Sequence, residues 1–254
     1  MKKVTAIIPT FNEAHNIRNA IESVLWADEV IVVDSYSTDD TIMMTKDYPV
    51  SVVLHEYISP SAQKNWIIPQ AKNEWIFILD ADEVVSDPLK EEIQKVLSQD
   101  KIPESAFWIS RQNYYMGKKV RFSGWQNDGV IRLFKRDHGR YDGKRVHEKL
   151  QVNGQVGKLS KPLLHYTYKD LHSMLGKVDR YSSWKAIDRA EKGNRSGLLS
   201  MMFKPAFSFF KNYFFRLGIL DGKVGFIICA ISSWSVFLRQ LKIWRINQGE
   251  NIEI

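Results

Sequence analysis

The chain of 254 residues contains one cysteine, Cys229, so it can form no internal disulfide and no thiolate zinc site, and its cysteine usage gives no sign of an oxidising compartment. Glycine is missing from the first strand-to-helix turn, Pro9-Thr-Phe-Asn-Glu13. That excludes a dinucleotide fingerprint there, and no P-loop occurs either. Met1-Lys-Lys-Val leads into a strand and not into the apolar core of a signal peptide, so a cytoplasmic protein is expected. The longest uncharged run of the C-terminal quarter, Val224 to Leu238, has 15 residues, short of the roughly 20 that cross a bilayer. It is expected to lie on a membrane and not to span it. Internal repeats, low-complexity tracts and flexible linkers are absent.

What is present is a 44% hydrophobic composition, enough for one large α/β core, and 36 Lys and Arg against 29 Asp and Glu, a net charge of +7. A basic chain suits a polyanionic neighbour such as anionic lipid, nucleotide phosphate or nucleic acid. Apolar runs at Val4 to Ile8, Val30 to Val33, Val50 to Leu54 and Trp75 to Leu79 read as strands. Helical patterns separate them: Ile17, Ala20, Ile21, Val24 and Leu25 on one apolar face, a segment through Lys46, and Ala62 to Ala71. The alternation predicts a parallel sheet with helices on both faces, whose ligands lie beyond the carboxyl ends of its strands, where Thr10, Asp34 and Asp80 fall.

The stretch Trp75-Ile-Phe-Ile-Leu-Asp-Ala-Asp-Glu83 runs from a fully apolar strand into three carboxylates. Asp80 and Asp82 leave the backbone on one side and can converge on a divalent cation, Mg²⁺ or Mn²⁺ by ligand chemistry. The plainer alternative is that these acids cap the helix beginning near Ser86. Val84 and Val85 stand where a calcium loop needs an oxygen ligand and glycine. Asp34 is placed either to accept hydrogen bonds from a ribose or base, or to cap the helix after Ser35-Tyr-Ser-Thr-Asp-Asp40.

Past a helix from Asp87 to Leu97 the pattern becomes mixed, with strands at Ala106 to Tyr115, Val130 to Lys135 and Leu150 to Val156 and turns at Met116-Gly117 and Asn153-Gly154. A helix is expected from Lys169 to Lys192 with Leu171, Leu175, Val178 and Tyr181 inward. Between Arg195 and Gly249 eight Lys and Arg accompany one acid, Asp221, among interleaved phenylalanines. Rings and cations together suit an anionic membrane surface, the alternative being a helical pair packed on the domain. No nucleic-acid motif accompanies the charge. The expected domains are 1–194, with a nucleotide-binding half at 1–100 and a second half at 101–194, and a helical extension at 195–254.

Ile7-Ile-Pro-Thr-Phe-Asn-Glu13, Val32-Val-Asp-Ser-Tyr-Ser-Thr-Asp39 and Leu79-Asp-Ala-Asp-Glu83, in this order and spacing, resemble the family 2 inverting glycosyltransferases of GT-A fold. Arg132-Leu-Phe-Lys-Arg136, Val146-His-Glu148 and Leu164-His-Tyr-Thr-Tyr168, with the basic aromatic tail, resemble the branch that includes bacterial lipopolysaccharide-core β-glucosyltransferases. The resemblance implies a UDP-sugar donor, a lipid-linked saccharide acceptor and a site on the inner face of the cytoplasmic membrane. It implies that Pro9, Thr10, Glu13 and Asp34 contact the nucleotide, that Gln63 and Lys64 line the pocket, and that Asp80 and Asp82 hold the sugar nucleotide and its metal.

An inverting transferase also needs a base for the acceptor hydroxyl. The Glu-Asp pair and Gln-x-x-Arg-Trp motif of many relatives are missing, which leaves Glu148 as first candidate and Asp128 in Gly124-Trp-Gln-Asn-Asp as second; Glu148 can alternatively be a surface acid beside Lys149. His165 can complete the metal shell or serve as a structural histidine, His147 is a weaker ligand candidate, and Arg132 either neutralises diphosphate or faces solvent on its strand. Two other classes stand beside this reading. Phe77-Ile-Leu-Asp-Ala-Asp82 also resembles the haloacid dehalogenase phosphatase motif, although that motif normally opens the first strand and is followed by Gly or Thr, whereas here it closes the fourth and Glu83 follows. A non-catalytic nucleotide-binding membrane scaffold would keep the sheet and tail without needing Asp82 or Glu148.

Overall fold

The computed structural model describes residues 1–143, 148–168 and 171–252. In chain order its elements are β1 (Val4–Thr10), α1 (Ile17–Glu22), β2 (Glu29–Asp34), α2 (Thr41–Thr45), β3 (Ser51–Leu54), α3 (Pro60–Ile67), β4 (Trp75–Ile78), β5 (Glu83–Val84), α4 (Asp87–Leu97) and β6 (Ala106–Tyr115). There follow β7 (Lys118–Lys119), β8 (Gly129–Lys135), β9 (Gly139–Tyr141), β10 (Leu150–Val152), β11 (Val156–Lys158), β12 (Leu163–Tyr166), α5 (Leu171–Glu191), α6 (Leu198–Phe210) and α7 (Gly222–Asn247). Two compact units form: one from residues 1–112 and 127–166, the other from 113–126 and 167–254.

In the first unit the strands run β3-β2-β1-β4-β8-β6-β12-β5. The first four are mutually parallel, and β8 pairs antiparallel with β4 and with β6. This is the α/β, GT-A-type arrangement implied by the resemblance: a mostly parallel nucleotide half continued by a mixed half. The central strands read as unbroken apolar runs because both faces are covered. Ala6, Ile8, Val32 and Phe77 belong to one core, and Ile7, Ile31, Ile76 and Ile78 to the other. On α4, Leu89, Ile93 and Leu97 recur every fourth residue and are fully buried, while Asp87 in the first turn and Lys95 in the last complement the helix dipole.

Two helix readings need correction. α1 stops at Glu22, so Val24 is buried but Leu25 is 40% exposed, because the helical period no longer applies beyond the last turn. α3 begins at Pro60, with the Ser59 hydroxyl accepting from the Ala62 amide, and gives way at Ile68 to a 3₁₀ turn ahead of Pro69.

Opposite Phe107 and Trp108 of β6 stand Leu133 and Ile131 of β8, so Arg132 is an extra residue, a β-bulge. The bulge places Ile131 against the same core as Phe134 and leaves Leu133 in the other. Freed from strict alternation, Arg132 is turned inward and only 3% exposed.

In the second unit α5, α6 and α7 pack together, with α7 against both others. α5 follows the predicted span but not the predicted face: Leu171 and Leu175 are exposed, while Met174, Trp184 and Ala186 are buried. Asp221, the tail's lone acid, accepts from the Phe122 amide at 2.9 Å and the Ser123 hydroxyl at 2.8 Å. The reading of Val224 to Leu238 as too short to span also needs correction. The helical stretch Gly218–Asn247 is long and apolar enough, by length and composition, to cross a membrane. Helix length sets reach, and Lys223 in the first turn of α7 can extend its charged end toward water.

Candidate active site

Two loops at the carboxyl ends of β1 and β2 are knitted together. The Asn12 amide donates to the Ser37 hydroxyl, and the Thr38 amide donates to Asn12 Oδ1, each at 2.8 Å. Asn12 and Tyr36 both adopt left-handed backbone, with φ of 54° and 61°. Asp34 is fully buried and accepts from the Ser37 amide at 2.7 Å and the Ser37 hydroxyl at 2.5 Å. It therefore stabilises the loop that follows it and does not cap α2. The Glu13 amide donates to Thr41 Oγ1 at 2.8 Å, and Pro9 and Thr10 end β1. Thr10 Oγ1 is buried without a partner. Gln63 on α3 reaches the same loop, its Nε2 donating to Ser35 Oγ at 2.7 Å. Phe11 and Tyr36, exposed rings at the same strand ends, were not anticipated.

One residue further on α3, Lys64 enters a second group. Its Nζ lies 3.0 Å from Asp80 and 3.1 Å from Glu148. Asp80 also pairs with Arg132, whose Nη2 lies 2.6 Å from Glu83. Glu83 is fully buried, accepts the Asp80 amide at 3.1 Å, and meets Arg111 at 3.4 Å. Arg111 in turn grips Asp128 with two donors, at 2.8 and 3.0 Å. The carboxylates of Asp80, Glu83, Asp128 and Glu148 are thus joined in one network of alternating charge. Burial opposes the charge of Asp80, but Arg132 and Lys64 outweigh it and hold this carboxyl well below the usual range. Burial likewise works against the Lys64 cation, and Asp80 foremost keeps it firmly protonated. Burial raises the Tyr141 phenol.

Tyr141 lies under the Lys64 ammonium at 5.2 Å. Its Oη and Arg132 Nε are buried with no hydrogen-bond partner among the described residues. Two orphaned polar groups beside two cations are what an entering oxyanion would satisfy.

β5 pairs antiparallel with β12, which brings His165 opposite Glu83 and sets its Nε2 3.7 Å from Asp82 Oδ1. Asp82 and His165 therefore face one another, while Asp80 is engaged by its two cations. No cluster of three or more His, Cys, Asp or Glu able to hold a metal occurs among the described residues. One carboxylate and one imidazole form a hard-to-borderline donor pair that fits Mg²⁺ or Mn²⁺ when phosphate oxygens complete the shell. Val146 and His147 lie outside the described residues. Arg132 does not face solvent, and Glu148, with its side chain 19% exposed, is not a free surface acid.

The family profile described as "Glycosyl transferase family 2" matches residues 5–153, more than half the chain. The chain is a family 2 glycosyltransferase. This glycosyltransferase is 29% identical over 251 residues to the lipopolysaccharide core biosynthesis glycosyltransferase LpsC of Rhizobium meliloti, covering 95% of this chain and 92% of that one. It is 30% identical over 263 residues to an uncharacterised glycosyltransferase of Rickettsia bellii, covering 95% and 86%. Among solved structures, Staphylococcus aureus TarS 1–349 is similar at a TM-score of 0.49 and 15% identity, over 99% of this chain and 93% of that one. A phosphatase is set aside with this assignment, since Asp80 follows the fourth strand of the sheet and both its oxygens are held by cations.

Proposed function

We propose that this glycosyltransferase moves a hexose, with glucose the first candidate, from a UDP-sugar to a lipid-linked envelope saccharide such as lipopolysaccharide core, inverting the anomeric carbon. The observation that carries the reading is the match to LpsC along nearly the full length of both chains. The site supports it chemically. Thr10, Asp34 and Gln63 offer polar groups to a nucleoside at the ends of β1 and β2. Lys64, Arg132 and the unpartnered Tyr141 hydroxyl offer donors to a diphosphate. A divalent cation, when bound, would supply Lewis-acid stabilisation of the departing diphosphate; Asp82 and His165 would hold it, with Asp80 two residues away on the same turn.

Glu148 is the proposed base. Its carboxylate shares Lys64 with Asp80, and an incoming diphosphate would compete for that ammonium. Asp128, gripped by two guanidinium donors, is the second candidate.

The tail reading is peripheral attachment to the inner face of the cytoplasmic membrane. Leu199, Met202, Phe203 and Phe207 of α6 are exposed, with Lys204 among them and Lys211 just past the helix end. α7 packs along α5, and Lys242 of α7 is tied to Asp179 of α5 at 2.5 Å. Immersing α7 across a bilayer would carry the charges of α5 with it, which favours lying on the surface.

UDP release is to be measured with purified protein, a panel of nucleotide sugars, envelope lipid extracts and Mg²⁺ or Mn²⁺. Absence of turnover on every donor contradicts the proposal and returns a non-catalytic scaffold, and full turnover by Asp82→Ala contradicts the metal and donor site placed on this carboxylate. Glu148→Gln should bind UDP normally and lose about 10²–10⁴-fold in transfer; surviving transfer moves the base to Asp128. Phe203→Ser with Phe207→Ser should weaken sedimentation with anionic liposomes, and unchanged sedimentation assigns these rings to another partner.

A further inference from the structure

Four of the tail's cations find a side-chain partner within their own unit. Lys242 pairs with Asp179, Arg245 with Glu250, Lys204 donates to Gln240 and Arg216 donates to Asn212. Arg239 is different. Its Nε is buried and has no hydrogen-bond partner among the described residues. Arg239 belongs to α7, which packs on α5, and there Lys185 and Arg189 stand one helical turn apart on one side of the helix.

None of these three cations makes an ion pair with a described carboxylate; Asp188 and Glu191, the acids of that stretch of α5, pair with none of them. The like charges act on one another. Burial, then Arg239 and Arg189, push the Lys185 ammonium below its ordinary value, and burial followed by Arg189 does the same to Arg239. The part-buried Lys185 and Arg239 and the exposed Arg189 repel one another in the folded state without a counterion, and leaving a buried guanidinium N–H unmade is costly. The neighbouring Lys242, by contrast, is satisfied by Asp179, Ser182 and Ser183.

We propose that Lys185, Arg189 and Arg239 form a phosphate-binding site between α5 and α7, separate from the donor cluster. The ligand is a phosphate group with at least two free oxygens: one accepts the Arg239 Nε–H and the others meet the two α5 cations. Guanidinium forks and an ammonium are the donors that match such an oxyanion. The phosphate can come from a lipid headgroup or from a soluble phosphate, and the chemistry recognised is the same. Unlike the diffuse attraction of a basic tail to an anionic surface, this site has named donors and a stoichiometry of one.

The test is thermal unfolding of the full chain in chloride buffer, with inorganic phosphate replacing chloride at constant ionic strength. At about tenfold excess over its Kd, phosphate should raise the wild-type Tm by about 3–5 °C. Lys185→Gln/Arg189→Gln and, separately, Arg239→Gln should start with an equal or higher Tm in chloride, because repulsion is relieved, and should lose the phosphate response. A wild type that does not respond, or variants that respond as the wild type does, overturns the site. Co-sedimentation with phosphatidylcholine vesicles containing phosphatidic acid separates the sources. A drop of tenfold or more for Lys185→Gln/Arg189→Gln, beyond that of the charge-matched Lys211→Gln/Lys223→Gln, identifies a headgroup. Equal drops together with a lost phosphate response identify a soluble phosphate.

Discussion

Glu83 is the residue whose removal tests the site most severely. It is fully buried, it accepts from Arg132 at 2.6 Å and from the Asp80 amide at 3.1 Å, and Arg111 lies 3.4 Å away. Glu83→Gln preserves shape and one acceptor oxygen but leaves Arg132, itself 3% exposed, with Asp80 as its single carboxylate. Breaking a buried pair by removing one partner costs about 3–5 kcal/mol. Arg132 keeps Asp80 and Arg111 keeps Asp128, so the lower end applies, about 3 kcal/mol. For a chain of this size that is a fall in Tm of about 6–12 °C. A scanning-calorimetry comparison of wild type, Glu83→Gln, Arg132→Gln and the double variant closes a thermodynamic cycle. The reasoning requires a coupling of at least about 1 kcal/mol between the two positions. UDP affinity should fall in the same variants, since a guanidinium that loses Glu83 is drawn further onto Asp80. A fall in Tm under about 2 °C, or additive single effects, would show that the network is not held by this carboxylate.

Two further outcomes follow from the same geometry. Asp82→Ala and His165→Ala should each weaken Mn²⁺ binding in the presence of UDP by about 10–100-fold, read by titration calorimetry; an unchanged His165→Ala would remove the imidazole from the metal shell. Asp80 is held below the usual carboxylate range, so its ion pairs contribute stability that is fully present above the unfolded value near 4 and is lost as pH falls from there toward the folded value. Asp80→Asn should therefore flatten the acid limb of a Tm-against-pH curve below about pH 4 while leaving the slope between pH 5 and 7 unchanged; parallel curves would refute the assignment.

The parallel half of the fold could be read from local runs because each of its central strands is buried on both faces and each is followed by a helical pattern. The carboxyl ends of β1, β2 and β4 could be placed for the same reason, and with them Thr10, Asp34 and Asp80. Glu83 was visible only as a neighbour of the Asp-x-Asp pair; its role depends on Arg111 of β6 and Arg132 of β8, 28 and 49 positions further along the chain. Tyr141 and Arg111 carried no signal, since a tyrosine or an arginine in a short strand reads as ordinary surface until its partners are known. Arg132 was ambiguous in sequence because alternation with Ile131 and Leu133 predicts an outward side chain, and bulges leave no reliable mark in composition. On α5, Leu171 and Leu175 shared a helical stripe with Val178 and were assigned inward, but a stripe does not say which neighbour is available to cover it.

The bulge at Arg132 has a consequence for how this chain tolerates changes in length. Because the guanidinium points inward only while β8 carries one residue more than β6 opposite it, the charge balance of the site depends on chain length as well as on side chains. Deleting a single residue between Gly129 and Leu133 would leave the composition of the strand almost unaltered and let it pair evenly, yet it would strand Asp80 and Glu83 side by side without their shared cation. Loops elsewhere in such a fold accept insertions and deletions readily; this strand, by contrast, acts as a ruler, and its length should be as constrained as the identity of any residue it positions.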